Sequence, residues 1–122
     1  MSSRGLGVIG EQMAVRHLER AGMVLVARNW RCADGGLRGE IDIIAQDGPV
    51  LVFCEVKARR GELAGSPLEA ITPRKVAQLR RLAGAWLAQA SVRVGDIRLD
   101  AVGVCWPSSG GRAEIVHLRD IG

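Results

Sequence analysis

The chain has 122 residues, a formal charge of +4 at pH 7, and 48% apolar residues. That is enough apolar material for one self-contained domain over residues 1–122, and no run is long enough for a membrane helix. Three cysteines without a Cys-x-x-Cys pair exclude a disulfide scaffold and fit a reducing cytoplasm. The N-terminus leads straight into an amphipathic pattern, so no signal peptide is expected. Nearly all the cations are arginine, as a GC-rich genome would favour; the only lysines are Lys57 and Lys75. Lysine can lose its proton and arginine cannot, so these two stand out. The modest positive balance favours a polyanionic partner.

Residues 6–21 read as a helix with an apolar stripe of Val8, Ala14, Val15, Leu18 and Ala21, stopped at Gly22. Glu11 lies on or beside that stripe. Its carboxylate either faces the core side or reaches water from the stripe's edge. Met23–Ala27 is a short apolar strand, and Arg28-Asn29-Trp30-Arg31 extends it or turns out of it. Those residues can hold phosphate and stack a base, or Trp30 can cap the core with arginines around it. Ala33–Gly39 reads as a glycine-rich loop that lacks the Gly-Lys-Ser/Thr ending of a P-loop.

Gly39–Arg60 reads as two strands around the turn Asp47-Gly48-Pro49. Alternation puts Glu40, Asp42 and Ile44 on one face of the first strand, and Leu51, Phe53, Glu55 and Lys57 on one face of the second. With Asp47-Gly48 as the loop, Asp42 lies opposite Phe53 and diagonal to Glu55, about 7–8 Å away at Cα. Carboxylates set among Ile, Leu and Phe need a compensating charge, and a hard divalent cation supplies one. The alternative is an exposed Glu55–Lys57 pair on an edge strand with Asp42 solvated.

Arg59–Pro67 reads as a flexible loop whose arginines are free to touch a phosphate backbone. Thr72 as N-cap and Pro73 as first residue open a second helix, with Val76, Leu79, Leu82, Ala83, Trp86, Leu87 and Ala90 as its apolar face. Lys75 either points to the sheet or stands in solvent. Asp96–Val104 and Ala113–Leu118 are the remaining strands, and neither histidine shows a partner for zinc or catalysis. Short connections among the first three strands predict antiparallel pairing. The long helix returns the chain to a strand parallel to an earlier one, giving an α/β fold with a mixed sheet.

Gly10-Glu11 with Ala14, Arg28-Asn29-Trp30-Arg31, Gly39-Glu40-Ile41-Asp42, Phe53-Cys54-Glu55-Val56-Lys57 and Ile71-Thr72 with Lys75 resemble the YraN-like family of small bacterial proteins. The likeness runs from about Gly7 to the C-terminus. That family is similar to the restriction-endonuclease-like PD-(D/E)xK nucleases, and among them to archaeal Holliday junction resolvases. The resemblance implies an αβββαβ core. It implies Asp42, Glu55 and the carbonyl of Val56 as ligands of Mg²⁺ or Mn²⁺, Lys57 as catalytic lysine, and Glu11 as a further catalytic acid. Cys54 stands where valine is more usual, and Leu37-Arg38 where an aromatic is common. The function expected is a metal-dependent endonuclease of nucleic acid, DNA before RNA, with branched DNA among the candidate substrates. Arg28, Arg31, Arg59, Arg60 and Lys75 would grip the backbone, and a homodimer would be in keeping with resolvases. Two other readings stay open: a non-catalytic nucleic-acid-binding module on a nuclease fold, and a protein-interaction subunit.

Overall fold

The computed structural model describes residues 3–61, 67–91 and 95–122. The elements are α1 (Ser3–Arg20), β1 (Val24–Asp34), β2 (Leu37–Asp47), β3 (Val50–Arg60), a short 3₁₀ turn (Pro67–Ala70), α2 (Pro73–Ala90), β4 (Asp96–Trp106) and β5 (Glu114–Leu118). The five strands form one sheet in sequence order. Pairing is antiparallel except between β3 and β4, where the α2 crossover makes it parallel. The order αβββαβ, followed by one more strand, matches a restriction-endonuclease-like core.

Local chemistry explains most boundaries. Gly22, at φ +94°, closes α1: its N–H donates to Glu19 O, and that of Met23 donates to Leu18 O. Thr72 Oγ1 accepts from Lys75 N at 3.2 Å, capping α2 as its sequence predicts. The Ala33–Gly39 loop expectation is replaced by a hairpin. Only Gly35 and Gly36, both at positive φ, lie between the pair Asp34–Leu37, so β1 and β2 each run to eleven residues. Arg59 and Arg60 end β3 beside Cys105 and Trp106 rather than opening a loop. Residues 62–66 of that expected loop lie outside the described residues.

The β2–β3 turn is Gly48-Pro49, one residue later than the spacing suggested, with Asp47 paired to Val50. Gly48 has φ +58° at the first central position, and proline cannot supply a positive φ at the second, which is the II′ pattern. The register therefore moves by two residues. Ile44 faces Phe53 and Ile43 faces Cys54, where the pairing stops.

Each face of the sheet buries its own core. On the α1 side lie Ala14, Val15, Leu18, Ile43, Ala45, Val52, Cys54, Val102 and Val104. On the α2 side lie Ile41, Ile44, Leu51, Phe53, Leu79, Leu82, Ala83, Trp86 and Leu99. Val8, expected in the α1 stripe, is 61% exposed. The buried line runs instead through Leu6, Gly10, Ala14 and Leu18. Gly10 is what lets α1 sit down: a Cβ there would stand 2.7 Å from Ala58 Cβ on β3. That close approach brings Glu11, the next residue, to the sheet.

Candidate active site

Strand alternation on β1 fails twice, at a bulge between Leu25 and Ala27 and again at Asn29, and the candidate site is built at the second. Ile41 and Ile44, three apart on β2, both join the α2-side core, while Ile43 joins the α1 side. Opposite them on β1, Ala27 and Trp30, also three apart, both pack on the α2 side. Between the pairs Arg28–Ile43 and Trp30–Ile41, Asn29 and Asp42 drop out of the ladder, and Asn29 takes φ +52°. A left-handed residue inside a strand turns the chain and resets which side chains face which way. As a result Arg28 opens onto the α1 side although Trp30, two residues on, packs on the α2 side.

The single-face arrangement expected for Asp42 and Glu55 does not form. Asp42 lines an α1-side cleft of about 280 Å³ with Gly7, Glu11, Arg28, Asn29 and Val56. Glu55 lines a smaller cleft on the α2 side, of about 170 Å³, with Glu40, Lys75 and Gln78. The two clefts meet at the acids. Oxygens of Glu11, Glu40 and Asp42 come within 4.8 Å of one another. Asp42 Oδ2 also accepts the Val56 N–H at 2.7 Å. Glu55 stays outside this triad, 3.6 Å from Lys57 Nζ.

The charge balance of the cluster is negative. Burial, and then the Glu55 charge, push the Asp42 carboxyl up to about 7; Glu11 and Glu40 add to this, and the Val56 N–H only partly opposes it. Lys57 and Lys75 are electrostatic neighbours beside Glu55. Lys57 is raised above the usual lysine value, first through Lys75 and then by Glu55, against the effect of burial. Lys75 is lowered by its neighbour Lys57.

The other nominated residues separate into two groups. Arg28 Nη2 lies 3.2 Å from Glu11 Oε1, inside the α1-side cleft. Arg31, mostly exposed, reaches Glu40 Oε2 at 3.5 Å. Arg59 and Arg60 stand at the far end of β3 against β4, and neither is among the lining residues of either cleft. Glu40 is the acid that the ligand set passed over, although alternation put it beside Asp42. Three carboxylates are hard oxygen donors of the kind that Mg²⁺ and Mn²⁺ take, so the residues present fit such an ion.

A second polar centre lies away from this site. Asp100 on β4 is fully buried. It accepts from Arg98 Nε at 2.8 Å, Arg98 Nη2 at 3.0 Å, and Asp120 N at 3.1 Å. His117 Nε2 is 2.8 Å away, and an ionised carboxylate can only accept, so that nitrogen carries the proton. His117 Nδ1 meets His17 Nε2 at 3.1 Å. The two histidines, read from the sequence as having no partner for zinc or catalysis, are hydrogen-bonded to each other, and His117 also to Asp100. They are 100 residues apart, and only the fold brings them together.

Together these features define a nuclease-like α/β fold with an acidic cluster able to hold a metal. The chain belongs to the uncharacterised protein family UPF0102, whose model matches residues 10–104. It is 50% identical over 119 residues to a UPF0102 protein of Nocardioides, covering 98% of this chain and 92% of the relative. A UPF0102 protein of Kineococcus radiotolerans is 52% identical over 117 residues, covering 95% and 92%. One from Streptomyces coelicolor is 46% identical over 123 residues, covering 99% and 92%. Among the described residues no helix is long and apolar enough to cross a membrane.

Proposed function

We propose that this protein is a metal-dependent phosphodiesterase acting on nucleic acid, with DNA the expected substrate. The observation that carries the reading is the convergence of Glu11, Glu40 and Asp42 at a break in the sheet, next to the Glu55–Lys57 pair and Lys75. Glu11, Glu40 and Asp42 would hold Mg²⁺ or Mn²⁺, with Glu55 flanking them. Such an ion supplies Lewis-acid stabilisation of phosphate oxygens and lowers the pKa of a bound water.

The protein's own groups supply the rest. Lys57, paired with Glu55 at 3.6 Å, balances charge developing on the phosphate. Lys75 lines the same cleft as Glu55 and adds positive charge for phosphate oxygens there. Arg31 is exposed at the rim, placed to meet phosphates of the flanking backbone, and Arg59 and Arg60 extend the basic track along β3.

The test is a cleavage panel with Mg²⁺ or Mn²⁺: labelled single-stranded, duplex, flap and four-way-junction DNA, and RNA, with Glu55→Ala alongside. Metal-dependent cuts that vanish in the variant are expected. Binding that weakens steeply with salt, without cuts, would replace this reading with a binding module. Neither cuts nor binding would leave a protein-interaction subunit.

A further inference from the structure

The break in alternation delivers a cation as well as an acid. On an unbroken strand Arg28 would share the face of Trp30 and point at the α2-side core. The bulge between Leu25 and Ala27 and the left-handed turn at Asn29 together put it on the other side, where two of its nitrogens approach one oxygen of Glu11. The Arg28 Nε and Nη2 contacts are 3.3 and 3.2 Å. The Glu11 carboxylate is thus shared between a resident guanidinium and the three-acid cluster. The Glu11 side chain is only 13% exposed, whereas Arg28 keeps 34% of its side-chain surface in water. The arginine can therefore swing outward more readily than the glutamate can withdraw. A guanidinium released from Glu11 at the mouth of this cleft lies beside the place where a phosphate would rest, and its planar fork suits phosphate oxygens.

We propose that Arg28 is the resident counter-ion of the metal site. Without metal it holds Glu11; when a divalent cation takes that carboxylate, Arg28 is freed to grip a substrate phosphate. The inference rests on the metal-dependent reading above. It makes metal and nucleic acid bind with positive coupling through one side chain, and by linkage each must strengthen the other equally.

The decisive experiment is calorimetric titration of Mn²⁺ into the wild-type protein, Arg28→Gln and Arg28→Lys, without nucleic acid. Removing the competing charge should tighten Mn²⁺ binding about threefold or more in Arg28→Gln, as expected for loss of a partly exposed ion pair. Arg28→Lys, which keeps the charge, should stay near wild type. Affinity for a cleavage-resistant phosphorothioate duplex, read by fluorescence anisotropy, should rise with Mn²⁺ in the wild type and lose that gain in Arg28→Gln. Unchanged or weaker Mn²⁺ binding in Arg28→Gln would overturn the counter-ion role and leave the metal reading standing. Equal tightening in Arg28→Lys would also overturn it, because charge would not be the cause. Absence of Mn²⁺ binding in the wild type would overturn the metal reading and this inference together.

Discussion

Two strand aspartates, Asp42 and Asp100, experience burial in the same direction and end at opposite extremes. Burial raises the pKa of both. Around Asp100 the donors win: His117, then Arg98 and the Asp120 N–H, bring its carboxyl down to about 2. Around Asp42 the single Val56 N–H is outweighed by Glu55, Glu11 and Glu40, and the carboxyl rises to about 7. One acid is saturated with partners supplied by the chain itself. The other is assembled with a deficit of positive charge. A buried acid serves the fold when the protein completes its shell, and it serves binding when the shell is left for something else to complete.

The strongest way to break this contrast is to empty the saturated shell. Asp100→Ala leaves His117 without its carboxylate and Arg98 with only Asp47, at 3.1 Å, and these side chains are only 9% and 17% exposed. The expected loss is about 3–5 kcal/mol at pH 7, as for other buried pairs deprived of one partner. Urea denaturation measures it, and a loss below about 1 kcal/mol would remove the network from the list of what holds β5 and α1 to the sheet. The pH sign follows from the lowered value. Stability from Asp100 is complete above its ordinary pKa of 3.8 and disappears as pH falls toward about 2.

Asp42 should behave in the reverse sense. Its folded-state pKa is raised from 3.8 to about 7, so the unfolded chain gives up this proton first as pH rises. The metal-free protein therefore loses stability between about pH 4 and pH 7, by on the order of 2–4 kcal/mol. Asp42→Asn keeps an oxygen for the Val56 N–H and carries no charge. It should be more stable than wild type at pH 8, match it below pH 4, and lose metal-dependent cleavage. An asparagine variant less stable than wild type at pH 8 would mean that Asp42 is not short of partners.

The sequence showed one half of this contrast far better than the other. Thr72-Pro73, Gly22 and the Gly48-Pro49 turn act within a few residues, so the order of elements follows from local chemistry. Glu11, Asp42, Glu55 and Lys57 could be nominated because charged residues interrupt apolar strands. Their arrangement could not be read, because it depends on Asn29 and Asp42 leaving the ladder together on two strands. Alternation assumes an unbroken strand, and it placed Asp42 and Glu55 on one face. Ile43 and Ile44 point to opposite cores as adjacent strand residues do, so the residues of β2 give no local sign of the break. The Asp100 centre was less legible still. Asp100, His117 and His17 come from β4, β5 and α1, and no spacing rule links residues that meet only through the sheet.

Asn29 offers the gentlest test, because it separates the turn from the groups the turn aims. At φ +52° asparagine is tolerated and glycine is free, whereas a β-branched residue is strained. Asn29→Gly should change stability by less than about 1 kcal/mol, and Asn29→Val should cost about 2 kcal/mol more than that. The structural consequence should follow the same order. Valine favours an extended strand, and an extended residue 29 would return Arg28 to the face of Trp30 and straighten the β1 segment opposite Asp42. Mn²⁺ titration should then find the site intact in Asn29→Gly and weakened in Asn29→Val. If valine lowers stability yet leaves Mn²⁺ binding as in wild type, the acids are positioned by β2 and α1 alone. The break in β1 would then serve to aim Arg28 and not to build the metal site.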